Sequence, residues 1–156
     1  MQSKRVLIPV DLAKPERSYD ALQFVGGMAG DLRVHATLLY VVNHHGWTPE
    51  RKSLDQYDRV LKTFAARFLA DCTTKCFRVR TGKPDQEILR EAKEASLELI
   101  VLSQPDSGRS TWFRSRTAER IIRAAPCLTL VLPASWKITS DKYREVLKPL
   151  EPNFAN

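Results

Sequence analysis

The sequence predicts a three-layer α/β/α sandwich with a five-stranded parallel sheet, in a single domain. Short runs that are apolar nearly throughout alternate along the chain with amphipathic segments. Strands of that composition are buried on both faces, as in a parallel sheet covered by helices. The chain has 156 residues, of which 43% are apolar and 28% charged, a balance typical of a soluble globular protein.

The apolar runs predict five strands. They span residues 5–10, 34–42, 75–80, 97–102 and 127–132. The first ends at Asp11, and Pro9 must lie near its end because proline donates no hydrogen bond to a ladder. The run 75–80 is shorter and more polar than the others, which indicates an edge of the sheet.

Four amphipathic segments between these strands predict helices. The first begins near Pro15, and the other three span residues 50–70, 85–95 and 117–125. Right-handed crossovers then give a doubly wound sandwich. Gly26, Gly27 and Gly30 are expected to mark the fraying end of the first helix. The residues expected to face the core are Ala21, Leu22, Val25, Met28 and Ala29 in the first helix, Leu54, Tyr57, Val60, Leu61, Phe64 and Phe68 in the second, and Ile88, Leu89, Ala92 and Ala95 in the third.

We expect the domain to comprise residues 1–133, followed by a C-terminal extension, 134–156. The pattern of the extension is compatible with a short helix at 141–148, ended by Pro149. A surface appendage, a lid and part of a subunit contact are all open interpretations of this extension.

The composition excludes several classes of protein. The formal net charge is +7, but the basic residues are scattered and form no recognised nucleic-acid-binding module, which argues against nucleic acid as a partner. No apolar run is long enough for a membrane span, and no signal peptide is recognisable, so we expect a cytoplasmic protein.

The metal-ligating and redox residues form no convincing site. Three cysteines, Cys72, Cys76 and Cys127, are an odd number that fits reduced thiols. Cys72 and Cys76 could join His44 and His45 in a zinc site, but buried or incidental thiols and exposed loop histidines are the favoured interpretation. We therefore predict no metal.

Catalytic motifs are also missing. The sequence contains no P-loop, no G-x-S-x-G elbow and no His-Glu-x-x-His helix, and no nucleophile can be paired with a base. Asp11 follows the first strand, but no acidic residue follows the third, which argues against a phosphoacceptor receiver domain. The prediction is a protein that is not an enzyme, with at most weak hydrolysis of ATP.

The first candidate for a binding site is the polar loop 103–117. Ligands of parallel α/β sheets bind at the carboxyl ends of strands, beside the N-termini of helices. This loop follows the fourth strand and leads into the last helix, so it occupies that position.

Four blocks of the chain resemble the universal stress proteins: VLIPVD at 6–11, GKPDQEI at 82–88, ELIVLS at 98–103 and TAERIIRAAPCLTLVLP at 117–133. The similarity covers about residues 4–133. It implies the flavodoxin-like sandwich that is also called adenine-nucleotide alpha hydrolase-like. It further implies a cytoplasmic homodimer in which two copies pair through residues 127–132.

Some members of that family bind ATP through G-x-x-G, nine residues, then G-[ST], after the fourth strand. In this chain the first glycine falls on Ser103 and the second on Asp106. The final pair falls on Ser115-Arg116 or, counted from Ser103, on Arg116-Thr117. The resemblance also aligns Asp11 with the acidic residue that contacts the nucleoside.

The candidates for a nucleotide- or anion-binding site follow from this alignment, and Ser115 or Thr117 is expected to cap the last helix. They are Pro9, Val10, Asp11, Val41, Leu102, Ser103, Asp106, Gly108, Arg109, Ser115, Arg116 and Thr117. A carboxylate at Asp106 would repel phosphate, whereas Arg109, Arg114, Arg116 and Arg120 could attract it.

Three functional hypotheses remain. The favoured one is a non-catalytic binding or regulatory protein of the stress response with a degenerate nucleotide-binding loop, which is vestigial or holds another small anion. The second is an ATP-binding member of the family that acts as a nucleotide-dependent switch with slow hydrolysis. The third is an interaction module that uses its basic face and C-terminal tail on a protein partner.

Overall fold

The computed structural model describes residues 3–12, 14–43, 51–103 and 115–133. The strands are β1 (Ser3–Pro9), β2 (Arg33–Val42), β3 (Thr74–Thr81), β4 (Leu99–Ser103) and β5 (Leu128–Leu132). The helices are α1 (Tyr19–Met28), α2 (Arg51–Phe68), α3 (Pro84–Glu94) and α4 (Ser115–Ala124), with a short 3-10 turn at Pro15–Ser18 before α1.

The sheet has five strands in the order β3-β2-β1-β4-β5, and every neighbouring pair is parallel. The predicted fold class is therefore confirmed. β3 is an edge strand, as its polar sequence predicted, and β5 forms the opposite edge.

The core consists of two apolar layers, one on each face of the sheet. Residues of α1 and α2 pack with Val6 and Ile8 of β1, whereas residues of α3 and α4 pack with Leu7. This division follows from the alternation of side chains along a strand, which sends neighbouring residues to opposite faces. The faces are called here the α1/α2 face and the α3/α4 face.

Several elements begin or end one to two residues from their predicted limits. β1 ends at Pro9, so the proline lies at the end of its strand as expected. The Val10 N–H still donates a hydrogen bond to the Leu39 carbonyl oxygen at 2.8 Å, which continues the pairing beyond the strand. α4 begins at Ser115, before the predicted residue 117.

Gly26 and Gly27 lie in the last turn of α1, close to the helix end that they were predicted to mark. Both lie within α1, which continues to Met28. A Cβ atom at Gly26 would stand 2.1 Å from the carbonyl oxygen of Phe68, at the end of α2. Gly26 therefore allows two helices to approach more closely than any side chain would permit.

The buried face of α3 differs from the predicted one at both charged and apolar positions. Ala95 is exposed, whereas Glu87 and Glu91 are buried. Apolar spacing alone did not reveal these carboxylates, because they are charged residues that pair with arginines of β3 and of α3. The helix ends at Glu94, and Ser96, two residues later, has a positive φ of 50° and donates its N–H to the Lys93 carbonyl oxygen, which forms a left-handed turn after the helix.

Some predictions concern parts of the chain outside the described residues. These are the C-terminal extension 134–156, the histidines His44 and His45, and most of the loop 103–117. Among the described helices, none combines the length and the apolar character that crossing a membrane would require.

Candidate functional site

The carboxyl edge of the sheet brings together the ends of three neighbouring strands. β1 ends before Asp11, β4 ends at Ser103, and the Gly82 N–H donates to the Val42 carbonyl oxygen at 3.0 Å, just beyond β2. Because all strands are parallel, these ends lie on the same edge, where ligands bind in sheets of this kind.

Asp11 is buried in a turn that the chain fixes by its own hydrogen bonds. Its residue is only 3% exposed, and its N–H donates to the Ser18 hydroxyl oxygen at 3.0 Å. Ser18, itself buried, ends the 3-10 turn before α1. The backbone of Asp11 is therefore positioned before any ligand arrives.

Tyr40 lies near Asp11, and the charge of the carboxylate contributes to a raised pKa of its phenol. Burial, Tyr57 and Asp11, in that order, raise the pKa of Tyr40 from 10.0 to about 12. The rings of Tyr40 and Tyr57 meet edge to face, with centroids 4.9 Å apart. The phenol of Tyr40 therefore stays protonated at neutral pH and is a hydrogen-bond donor beside the candidate site.

Four of the predicted site residues are core residues. Pro9, Val10, Val41 and Leu102 are all buried. The side chains of Val10, Val41 and Leu102 fill the apolar layers, so a ligand at this edge would contact these residues mainly through the main chain.

Ser103 ends β4 at the position aligned with the first glycine of the nucleotide loop. Its Oγ is buried and has no hydrogen-bond partner among the described residues. A buried hydroxyl without a partner costs about 1–3 kcal/mol. Ser103 therefore presents a polar atom at the place where the family pattern has bare main chain.

The first turn of α4 contains the remaining candidates that the structure describes. Arg116 is exposed and Thr117 is half-buried. Of the two predicted caps, Ser115 and Thr117, Ser115 lies at the start of α4, whereas Thr117 lies inside the first turn and does not cap the helix. Asp106, Gly108, Arg109 and Arg114 lie outside the described residues.

Arg120 already has an acidic partner. Its Nη1 lies 3.5 Å from Oδ2 of Asp85, in the first turn of α3. Asp85 is nearly buried, so the pair links α3 to α4 at the carboxyl edge. This contact leaves Arg120 less available to phosphate than the sequence suggested.

A larger charged network joins β3 to α3 and was not predicted. Arg80 contacts Glu91 and Glu94, with donor–acceptor distances of 2.8 Å to each. Three further ion pairs extend it: Arg80–Glu87 at 3.5 Å, Arg78–Glu91 at 3.5 Å and Arg90–Glu87 at 3.0 Å. The sequence does contain a signal for this network. The glutamates of α3 recur at i, i+4 and i+7, on one face of the helix, and the arginines of β3 alternate, on one face of the strand.

The metal-ligating residues and cysteines of the described regions form neither a metal-binding cluster nor a disulfide. No group of three or more histidine, cysteine or acidic residues in these regions could hold a metal ion. The three cysteines are free, and burial raises the pKa of the Cys72 and Cys127 thiols. These thiols are therefore weaker nucleophiles at neutral pH than an ordinary cysteine.

A groove of about 750 Å³ lies between α3 and the end of α4, away from the carboxyl ends of the strands. It is bordered by Leu89, Arg90, Lys93 and Pro126, among others. Because it includes neither Asp11 nor Ser103, it is separate from the candidate site.

Comparison with known proteins gives a family match over most of the chain. The model of the universal stress protein family matches residues 2–133. No curated protein sequence matches the chain.

Solved structures share the fold at low sequence identity. The universal stress protein UspA from Lactobacillus plantarum is 19% identical, with a TM-score of 0.62 over 85% of this chain and 99% of that one. The universal stress protein from Archaeoglobus fulgidus in complex with dAMP is 17% identical, with a TM-score of 0.62 over 83% and 97% of the two chains. A universal stress protein family protein from Arabidopsis thaliana with AMP bound is 16% identical, with a TM-score of 0.59 over 83% and 91%.

Proposed function

The chain belongs to the universal stress protein family, and on that premise we propose that it is a non-catalytic binding or regulatory protein of the stress response. Its nucleotide-binding loop is degenerate: the nucleoside side of the site is retained, and the triphosphate side is not. The proposal rests on a contrast between two residues. The Asp11 N–H has a hydrogen-bond partner, whereas the buried Ser103 Oγ has none among the described residues.

The nucleoside side is supported by the geometry around Asp11. The residue is buried, and its backbone is held by Ser18 at 3.0 Å. Tyr40 adds a protonated phenol nearby. Two relatives of this fold have AMP and dAMP bound, ligands with a nucleoside and a single phosphate.

The loss of the triphosphate side is supported by Ser103 and by the sequence after it. A phosphate cradle needs main-chain N–H groups that a ligand can approach closely, which glycine allows. Ser103 and Asp106 carry side chains at the two positions where the family pattern has glycine. Arg120, a potential compensating cation, is paired with Asp85.

A second function, an ATP-dependent switch with slow hydrolysis, is favoured by Arg116. This side chain is exposed in the first turn of α4, where the positive end of the helix dipole also attracts anions. In that case arginine replaces the glycine cradle, because guanidinium groups bind phosphate oxygens in pairs.

We further propose that the protein is a cytoplasmic homodimer that pairs through residues 127–132. β5 is an edge strand, and an unpaired edge presents hydrogen-bonding groups to a second copy.

Calorimetric titration of the purified protein with ATP and Mg²⁺, and separately with AMP, tests the favoured function. We expect no saturable micromolar binding of ATP, and no release of phosphate above the buffer rate. Any binding of AMP should disappear in Asp11→Asn. The matched control is Asp31→Asn, because Asp31 is an exposed carboxylate far from the carboxyl edge.

Saturable micromolar binding of ATP that Asp11→Asn abolishes and Asp31→Asn preserves would overturn the favoured function. Slow phosphate release with the same pattern would establish the switch instead.

A further inference from the structure

We propose that Arg17 and Ser103 together bind a phosphate group at the carboxyl edge of the sheet, on the α1/α2 face. This inference goes beyond the proposed function, because such a site needs neither a nucleoside nor a glycine loop. It depends on two buried polar atoms without a hydrogen-bond partner that the fold brings to one place.

Arg17 has a buried donor without an acceptor. Its Nη1 is buried and has no hydrogen-bond partner among the described residues. Among the arginines whose side chains the structure describes, Arg17 and Arg80 are half-buried and the others are exposed. Arg80 is matched by three carboxylates, those of Glu87, Glu91 and Glu94. Since a guanidinium group stays charged at neutral pH, Nη1 of Arg17 lacks the anionic acceptor that its burial normally requires.

Ser103 supplies the second unmatched polar atom, and its side chain is directed to the α1/α2 face. Its Oγ is also buried without a partner among the described residues. Leu99 and Val101 pack in the apolar layer of that face. Because side chains two residues apart on a strand point the same way, Ser103 continues this row at the end of β4.

The turn that contains Arg17 lies against the same strand. It spans Pro15–Ser18, and the Ser18 hydroxyl oxygen accepts a hydrogen bond from the Asp11 N–H, which places the turn at the carboxyl edge. Cα atoms of this turn also lie within 8 Å of Cα atoms of β4. The backbone that holds Arg17 and the strand that ends at Ser103 are therefore neighbours.

The side chain of Arg17 is directed away from α2. Tyr19, two residues later, packs its ring against Phe64 and Phe68 of α2, with centroids 6.0 and 5.2 Å apart. Residues two positions apart on a helix are separated by about 200° around its axis, so Arg17 lies on the opposite side. Since α2 covers β2 and β3, that opposite side faces β4. Arg17 and Ser103 therefore converge.

A phosphate group fits this pair better than a water molecule does. Water could satisfy the Ser103 hydroxyl, but it would leave the positive charge of Arg17 without a counter-ion. A phosphate group has several acceptor oxygens, so it can accept hydrogen bonds from the guanidinium group and from the hydroxyl at once. The formal net charge of +7 also favours an anion over a cation.

The phosphate group can come from two sources. One is free inorganic phosphate, and the other is the single phosphate of a nucleoside monophosphate whose nucleoside lies at Asp11. Asp11 follows β1, the neighbour of β4 in the sheet, so both sources are compatible with the same pair of side chains.

Calorimetric titration with inorganic phosphate, in a phosphate-free buffer at neutral pH, tests the proposal. We expect saturable binding of one phosphate per chain, and Arg17→Gln should weaken it by about tenfold or more. Arg17→Lys should keep part of the affinity, because it retains the charge but not the paired donors. Ser103→Ala should weaken binding to a smaller extent, since it removes a single neutral hydrogen bond.

The control variant is Arg33→Gln, because Arg33 is an exposed arginine at the start of β2, at the opposite edge of the sheet. It should leave the binding of phosphate unchanged. The absence of saturable binding in the wild-type protein would overturn the proposal, as would binding that survives Arg17→Gln.

Thermal unfolding with and without phosphate separates a binding role of Arg17 from a purely structural one. Phosphate should raise the Tm of the wild-type protein and not that of Arg17→Gln, because only a form that binds the anion is stabilised by it. A Tm that Arg17→Gln lowers equally in both conditions would show a structural role alone and would also overturn the proposal.

Competition between AMP and inorganic phosphate identifies the source. Displacement of phosphate by AMP would assign the pair to the phosphate of a nucleotide, whereas simultaneous binding would assign it to free phosphate. A failure of AMP to bind would count against the proposed function alone, because the titration with inorganic phosphate involves no nucleoside.

Discussion

Asp11 follows β1 and Ser103 ends the neighbouring strand β4, and their buried polar groups differ in whether they have a hydrogen-bond partner. The Asp11 N–H has a partner in Ser18, at 3.0 Å. Ser103 Oγ is buried without a partner among the described residues. A satisfied group fixes a turn, whereas an unsatisfied one invites a ligand or a water molecule. The half of the candidate site around Asp11 is therefore preformed. The half at Ser103 contains a hydroxyl group that lacks a hydrogen-bond partner among the described residues.

The titration of Tyr40 tests the environment beside Asp11. Its pKa is raised to about 12, so the neutral phenol is favoured in the folded state. In an unfolded chain the phenol ionises near pH 10. The resulting stabilisation is therefore complete below pH 10 and is lost as the pH rises from about 10 to 12.

An absorbance titration of tyrosinate should show a component near pH 12 that Tyr40→Phe removes. Tyr57→Phe should keep this component but move it to lower pH, because one of the raising influences is gone. A component that is unchanged in Tyr40→Phe would contradict the assignment.

At the scale of elements, α3 shows how carboxylates become part of a core. Glu87 and Glu91 are buried because arginines of β3 and α3 neutralise them. The turn before α3 lies against the same network. Gly82 has a φ of +148°, and a Cβ atom there would stand 3.1 Å from the Glu87 side chain. A residue with a side chain would be strained there and would also press on the paired carboxylate.

The two glycines of α1 give a matched test of the contact between α1 and α2. Gly26→Ala should destabilise the protein by about 2 kcal/mol or more, because its Cβ would meet the Phe68 carbonyl oxygen at 2.1 Å. Gly27→Ala should be neutral or stabilise by up to about 1 kcal/mol, since nothing lies within 4 Å. Urea unfolding measures both, and equal effects would show that the close approach is unimportant.

At the scale of the whole molecule, the two edges of the sheet differ. β3 is charged and tied to α3 by ion pairs, which discourages pairing with another chain. β5 is apolar and exposes Leu128. This asymmetry favours β5 over β3 as the edge for the proposed homodimer.

Sedimentation of the purified protein should therefore give twice the 17.8 kDa of one chain at micromolar concentration. The interface would be a continuous sheet across a two-fold axis. A species with the mass of one chain over the whole concentration range would contradict the proposed dimer.

The sequence predicted the elements far better than the contacts of the site. Apolar runs such as 97–102 are visible without a structure because burial on both faces demands them. The pairing of Arg120 with Asp85 was not visible, because the two residues are 35 apart in the chain. Thr117 was predicted as a possible cap, but α4 begins two residues earlier. The residue at which a helix begins depends on local hydrogen bonds, which residue preferences alone do not determine.

The sequence by itself determined the alternation of strands and helices, the polar edge at β3 and the side chains at the family's glycine positions, because each follows from local pattern. Only the tertiary structure decided that Glu87 and Glu91 are buried, that Gly26 faces Phe68 and that Ser18 holds Asp11. Those facts depend on which elements meet in space. Burial, close approach and charge pairing between distant residues are properties of the packed chain.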